Sequence, residues 1–166
     1  KVTGLTTLLT AVPEHRYTWV VPESTKQGLE SIPQDRPVAM LLRHSVRPFL
    51  APDSSGNDIA LTREGISLSK ELGALIGSRL KSISASPLAR TVQTAEAILE
   101  GVTHSIQVRK DCYLGAPGVY SYGDASGPVW PRLGHEKVMA HLVSKKTALS
   151  RLANPYASAR FLVQHM

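Results

Sequence analysis

Val38-Ala39-Met40-Leu41-Leu42-Arg43-His44-Ser45-Val46-Arg47 is a continuous apolar run that ends in a cluster of basic side chains. Five apolar residues in a row suit a strand buried on both faces of a parallel sheet, where no polar alternation is needed. The run then brings one imidazole and two guanidinium groups to the point where strand gives way to loop. Arginine holds phosphate in a bidentate way, and histidine is partly uncharged near neutral pH and so can act as a nucleophile. Taken alone, the pattern reads equally as a strand with a basic, solvated end, so its surroundings have to decide.

Working outward, Pro33-Gln34-Asp35-Arg36-Pro37 reads as a turn before the run, and Pro48 to Asp58 as a loop after it. Thr62, followed by Glu64 and Gly65, opens an amphipathic helix with Ile66, Leu68, Leu72, Leu75, Ile76 and Leu80 at helical spacing, ending near Arg79. Ser82 to Ser86 predicts a short strand. Pro87 stands where the first turn of a helix tolerates proline, Leu88 to Leu99 continue that helix and Gly101 stops it. Ser105 to Arg109 alternates as a strand, 113–132 is a loop rich in Gly, Pro and Tyr, Leu133 to Leu152 predicts a helix, and Arg160 to Val163 a last strand before Gln164-His165-Met166. Upstream, Tyr17 to Val21 predicts a short strand and Ser24 to Ile32 a short helix. Residues 1–36 thus form a preface packing on a domain of 37–166. Strands alternating with helices give an α/β fold, a three-layer sandwich with a mainly parallel central sheet flanked by helices.

The 166 residues suffice for one domain, and 42% hydrophobic with 19% charged residues is the composition of a globular chain. Nineteen Lys and Arg against 13 Asp and Glu leave a net charge of +6, which favours an acidic ligand. The basic residues are dispersed, with Lys145-Lys146 the only adjacent Lys pair, and neither Trp19 nor Trp130 is interleaved with them; no nucleic acid is expected as partner. No apolar run approaches the roughly 20 residues that span a bilayer, so no membrane is expected either. Leu5 to Val12 is too short and too rich in Thr for a signal core, and Lys1 rather than Met points to processing or trimming. The compartment stays open, with the cytoplasm favoured. Cys112 stands alone, and no Cys/His spacing suits zinc. His15, His104, His135 and His141 have no partner spacing for a metal, and no metal or other cofactor is expected.

In parallel sheets ligands bind off the carboxyl ends of the strands. Three such ends carry relevant chemistry: His44 after the first core strand, Ser86-Pro87-Leu88-Ala89-Arg90 after the second, and His165 after the last. Arg90 lies in the first turns of a helix, where free N–H groups and the positive dipole end also favour an anion.

Arg43-His44-Ser45-Val46-Arg47, Leu61-Thr62-Arg63-Glu64-Gly65 and Ser84-Ala85-Ser86-Pro87-Leu88-Ala89-Arg90-Thr91-Val92-Gln93-Thr94-Ala95 together resemble the histidine phosphatase superfamily, the phosphoglycerate-mutase-like fold. The resemblance covers roughly 37–166 and is most specific in the block ending at Ala95. It implies covalent phosphoryl transfer: His44 attacks phosphorus and becomes a phosphohistidine that water hydrolyses, while Arg43, Arg47, Arg90 and His165 surround the phosphate oxygens. It implies no metal, and a phosphorylated small molecule or phosphoprotein as substrate; a homo-oligomer is compatible with it. Ser45 replaces the usual Gly and is a candidate substrate-binding residue.

An alkyl phosphate also needs a general acid for its leaving oxygen. The family's positions for that acid fall near Ala116 and at Met166, neither of them acidic. Asp124, Asp111 and Glu136 are the nearby candidates. Two alternatives to a phosphatase therefore stand beside it: a weak or inactive phosphate-binding pseudoenzyme or scaffold, and a phosphomutase. Tyr120, Tyr122, Arg132 and Lys137 are further candidates for contact with the rest of a substrate. Family members usually continue past the second histidine with a helix, so the resemblance implies further chain after Met166.

Overall fold

Thr62 starts the central helix. Its hydroxyl accepts from the Gly65 N–H at 3.1 Å, and α2 then runs from Arg63 to Ile76. Gly77, at φ 57°, ends it in the left-handed region that glycine enters without strain, and a short 3-10 turn over Gly77–Arg79 follows. This computed structural model describes residues 19–49, 58–115, 118–120, 132–144 and 152–166.

Before α2 stands α1 (Glu23–Ser31), close to its predicted span. The two are fastened by polar contacts: Lys26 pairs with Glu71 at 3.7 Å, the Val21 N–H donates to Glu71 at 3.4 Å, and Arg79 donates to the carbonyls of Leu29 and Ile32 at 2.9 and 3.2 Å. Arg79 thereby satisfies carbonyl groups that the end of α1 leaves without helical partners. Val21 and α1 are thus tied to α2 and the turn after it.

β1 (Ile83–Ala85) and β2 (Val108–Lys110) form a parallel pair, in the register Ile83 to Val108, Ser84 to Arg109 and Ala85 to Lys110. Between them runs α3 (Ala89–Glu100), ending at Gly101 as its sequence predicts. Later come α4 (His135–Ser144) and α5 (Pro155–His165).

α2 and α3 are in backbone contact. A Cβ on Gly73 would strike the Ile98 carbonyl, and one on Gly101 would strike that of Lys70. The buried positions of α2 are accordingly Gly65, Ser69 and Gly73, and those of α3 are Thr94, Ala95, Ala97 and Ile98. The larger apolar residues of α2 flank this contact, and Leu75 is exposed. A second small cluster joins Val138 of α4 to Leu152, with Leu133 and Leu142 against it.

Several sequence expectations are corrected. Val38 to Leu42 has no regular secondary structure, and Val38 and Leu41 are 56% and 60% exposed. Apolar content makes a segment fit for a sheet but supplies no backbone partner, and β1 and β2 pair with each other. Trp19 to Val21 forms no strand, while Tyr17 and Thr18 lie outside the described residues. Arg160 to Val163 is helical: Asn154 caps α5 by accepting from the N–H groups of Tyr156 and Ala157 at 2.9 and 3.2 Å, Pro155 sits in the first turn, and the helix carries on to His165. The helix expected over Leu133 to Leu152 is described only to Ser144, and 145–151 lie outside the described residues, as do 50–57 of the first loop and most of 116–131 in the second. The described residues are a mixed α/β arrangement with a small parallel sheet, consistent with the expected class; they do not show a three-layer sandwich. Among them no helix is long and apolar enough to cross a membrane.

The backbone contact predicts that Gly73→Ala destabilises the fold. The helix-propensity gain of about 0.5–1 kcal/mol is outweighed by an overpacking cost of about 1–3 kcal/mol or more, since the obstacle is a carbonyl rather than a side chain that can move. Urea unfolding followed by circular dichroism measures the difference.

Candidate active site

The segment carrying His44 is held by the amino ends of two helices. From α2, the Val46 carbonyl accepts from the Thr62 N–H at 3.0 Å, and Gly65 lies so close that a Cβ there would strike the Val46 backbone. The Ser45 hydroxyl donates to the Gly65 carbonyl at 2.8 Å, an oxygen that also accepts from Ser69 at 2.8 Å. From α3, the Thr94 hydroxyl accepts the Ser45 N–H at 3.0 Å and donates to the Arg90 carbonyl at 2.7 Å. Gln93 accepts the Leu61 N–H at 2.9 Å and so ties α3 to the start of α2.

Within this frame the His44 ring is oriented by the main chain. Nδ1 lies 2.8 Å from the Ser45 carbonyl, which can only accept, so Nδ1 carries the proton and Nε2 keeps its lone pair in the neutral ring. Burial pushes the His44 pKa below its ordinary 6.5; the cations Arg90, Arg43 and Arg47 act in the same direction, and the bond to Ser45 opposes them. Arg90 is likewise lowered, first by burial and then by Arg47 and Arg43. These mutual effects put His44, Arg43, Arg47 and Arg90 into one cationic cluster. Arg47 spends one N–H on the Pro48 carbonyl at 2.8 Å. Arg90 lies at the second position of α3, beside the end whose first N–H groups have no partner within the helix.

His165 reaches the carboxyl edge of the sheet by another route than expected. It is the last residue of α5, and its Nε2 lies 2.6 Å from Asp111, which directly follows β2. It is not among the groups that shift His44. The Ser45 hydroxyl donates to the Gly65 carbonyl, so the side chain fastens the His44 segment.

Of the candidate acids, Asp111 accepts from His165 and from the Tyr113 N–H at 3.0 Å. The bond from His165, more than that from Tyr113, holds its carboxyl below the usual carboxylate range. Asp124 and Ala116 lie outside the described residues, as does the side chain of Glu136. Among the described residues, no group of three His, Cys, Asp or Glu side chains is placed to hold a metal. Sequence reasoning missed Thr94 and Gly65 as fasteners of the His44 segment, although both lie inside the motifs that carried the resemblance. It also missed the Asp111–His165 pair, for which no local pattern exists.

The model of the histidine phosphatase superfamily (branch 1) matches residues 40–112, the stretch from Met40 through the His44 segment, α2, β1, α3 and β2 to Cys112. No curated protein and no solved structure matches the chain. Over that stretch the chain is similar to the histidine phosphatase superfamily.

The bridging role of Thr94 predicts the effect of Thr94→Val, which keeps the shape and removes the hydroxyl. Leaving the Ser45 N–H without its acceptor is expected to cost about 1–3 kcal/mol of stability. Urea unfolding followed by circular dichroism measures the loss.

Proposed function

We propose that the protein is a phosphatase that hydrolyses a phosphomonoester through a phosphohistidine on His44. The observation that carries this reading is the His44 ring itself: Nδ1 is committed to the Ser45 carbonyl and Nε2 is left as the nucleophilic atom, beside three arginines. Nε2 attacks phosphorus in line; the N–P bond forms as the ester P–O bond breaks, and the leaving oxygen takes up a proton. Water then attacks the same phosphorus, the N–P bond breaks, and inorganic phosphate leaves with the imidazole restored. Arg43, Arg47 and Arg90 offer N–H donors to oxygens that share negative charge in both transition states. His165 completes the clamp in this reading. The substrate is a phosphorylated small molecule or phosphoprotein, and the reaction needs no metal.

Burial and the neighbouring cations both serve the first step, since they disfavour imidazolium and so keep the nucleophile uncharged at neutral pH. The same shift affects stability. With the folded pKa below 6.5, the unfolded chain binds the proton first as pH falls, so His44 lowers stability in the window between 6.5 and its folded pKa and has no effect above it.

Turnover of p-nitrophenyl phosphate by the wild type and by His44→Ala tests the reading. Its leaving group is good enough to need little help from an acid, so activity should be present and should vanish with His44. An inactive wild type that still binds phosphate would instead support the pseudoenzyme alternative. The acid limb of kcat/KM should have its midpoint below pH 6.5, where the free enzyme's His44 loses its proton. In Arg90→Gln that midpoint should move to higher pH, because one of the cations opposing imidazolium is gone.

A further inference from the structure

We propose that Asp111 is a positioning residue that fixes the orientation and tautomer of His165 for contact with the substrate's phosphate group. The proposal rests on the phosphatase reading above and changes the part assigned to Asp111, from a candidate general acid to an acceptor.

Asp111 is itself well anchored. Its N–H donates to the Ala85 carbonyl at 2.8 Å, extending the contact of β2 with β1 by one residue, and this sets it at the carboxyl edge of the sheet beside the turn that leads to Arg90. One carboxylate oxygen caps the following 3-10 turn by accepting from the Tyr113 N–H, and the other accepts from His165 at 2.6 Å. A carboxylate without a proton only accepts, so Nε2 of His165 carries hydrogen and Nδ1 is the ring nitrogen left for a ligand. The ring plane is fixed as well. Phe161 lies against it with centroids 5.7 Å apart and planes at 14°, and Tyr113 meets it edge-on at 5.0 Å. Position, plane and tautomer are thus all set before a ligand arrives. A phosphate oxygen calls for a donor: with Nδ1 also protonated, the imidazolium donates toward phosphate while Asp111 balances its charge from the far side. The low carboxyl pKa of Asp111 agrees with this part, since an ionised carboxylate has no proton to give a leaving group.

Asp111→Asn in the full chain is the test, because it keeps an oxygen for the Tyr113 cap and removes the charge. Melting should shift by less than about 3 °C. The kcat for p-nitrophenyl phosphate should fall about tenfold, and the inhibition constant of inorganic phosphate should rise by a similar factor, as a charged acceptor is exchanged for a neutral one. His165→Gln should show the same loss, and the double variant no further loss, because the two residues act as a unit. Ring nitrogen NMR should report Nε2–H for His165 in the wild type and a changed signature in Asp111→Asn. Wild-type turnover in Asp111→Asn, or losses that simply add, would overturn the positioning role while leaving the His44 reading intact. A wild type with neither His44-dependent turnover nor phosphate binding would overturn both.

Discussion

α2 meets its neighbours through main chain rather than through large side chains. At its amino end Gly65 lies against the Val46 backbone, and two turns later Gly73 lies against the Ile98 carbonyl. Both contacts fall on one buried stripe, Gly65, Ser69 and Gly73, which α3 answers with Thr94, Ala95, Ala97 and Ile98. The absence of a Cβ at these points lets the segment around His44 and the carboxyl-terminal part of α3 approach the same helix closely. Ser45 can then reach Gly65 with its hydroxyl and Thr94 with its N–H. Each hydrogen bond is worth only about 0.5–1.5 kcal/mol net, but together they leave the His44 backbone little freedom.

Such rigidity matters because the side chains it presents repel one another. Arg43, Arg47 and Arg90 lie near enough to His44 to depress its pKa, and Arg43 and Arg47 to depress that of Arg90. A flexible segment would relax by letting the charges drift apart. Held by α2 and α3, the cluster keeps its repulsion until an anion relieves it, as the proposed phosphate site requires.

What could be read from the sequence follows the range of the forces involved. α1, α2 and α3 were legible because caps, glycine stops and apolar spacing act within a few residues: Thr62 and Gly101 stand where such signals belong, whereas Gly77 ends α2 short of the expected Arg79 and α3 starts at Ala89, after Pro87. The nearness of His44 to Arg90 was legible through motif order, although the segment before His44 is not the strand that the sequence suggested. Pairing across the chain was not. Val38 to Leu42 has the composition of a buried strand and lies exposed, since composition carries no information about which backbone will pair with it. Arg160 to Val163 looked like a strand as a tetrapeptide and is helical because Asn154 and Pro155, upstream of it, set the helix going. The Asp111–His165 bond joins residues 54 positions apart and leaves no trace in local pattern.

The acceptor that orients His44 is the carbonyl of the residue next to it. In many enzymes the equivalent acceptor is a side chain, and a single substitution there abolishes the correct tautomer. A main-chain oxygen is supplied by every amino acid, so a substitution at position 45 leaves the acceptor for Nδ1 in place and acts only through the backbone path that the Ser45 hydroxyl helps to hold. The feature on which the proposed nucleophile depends is encoded in backbone path rather than in any one codon, and point mutation reaches it by moving the chain.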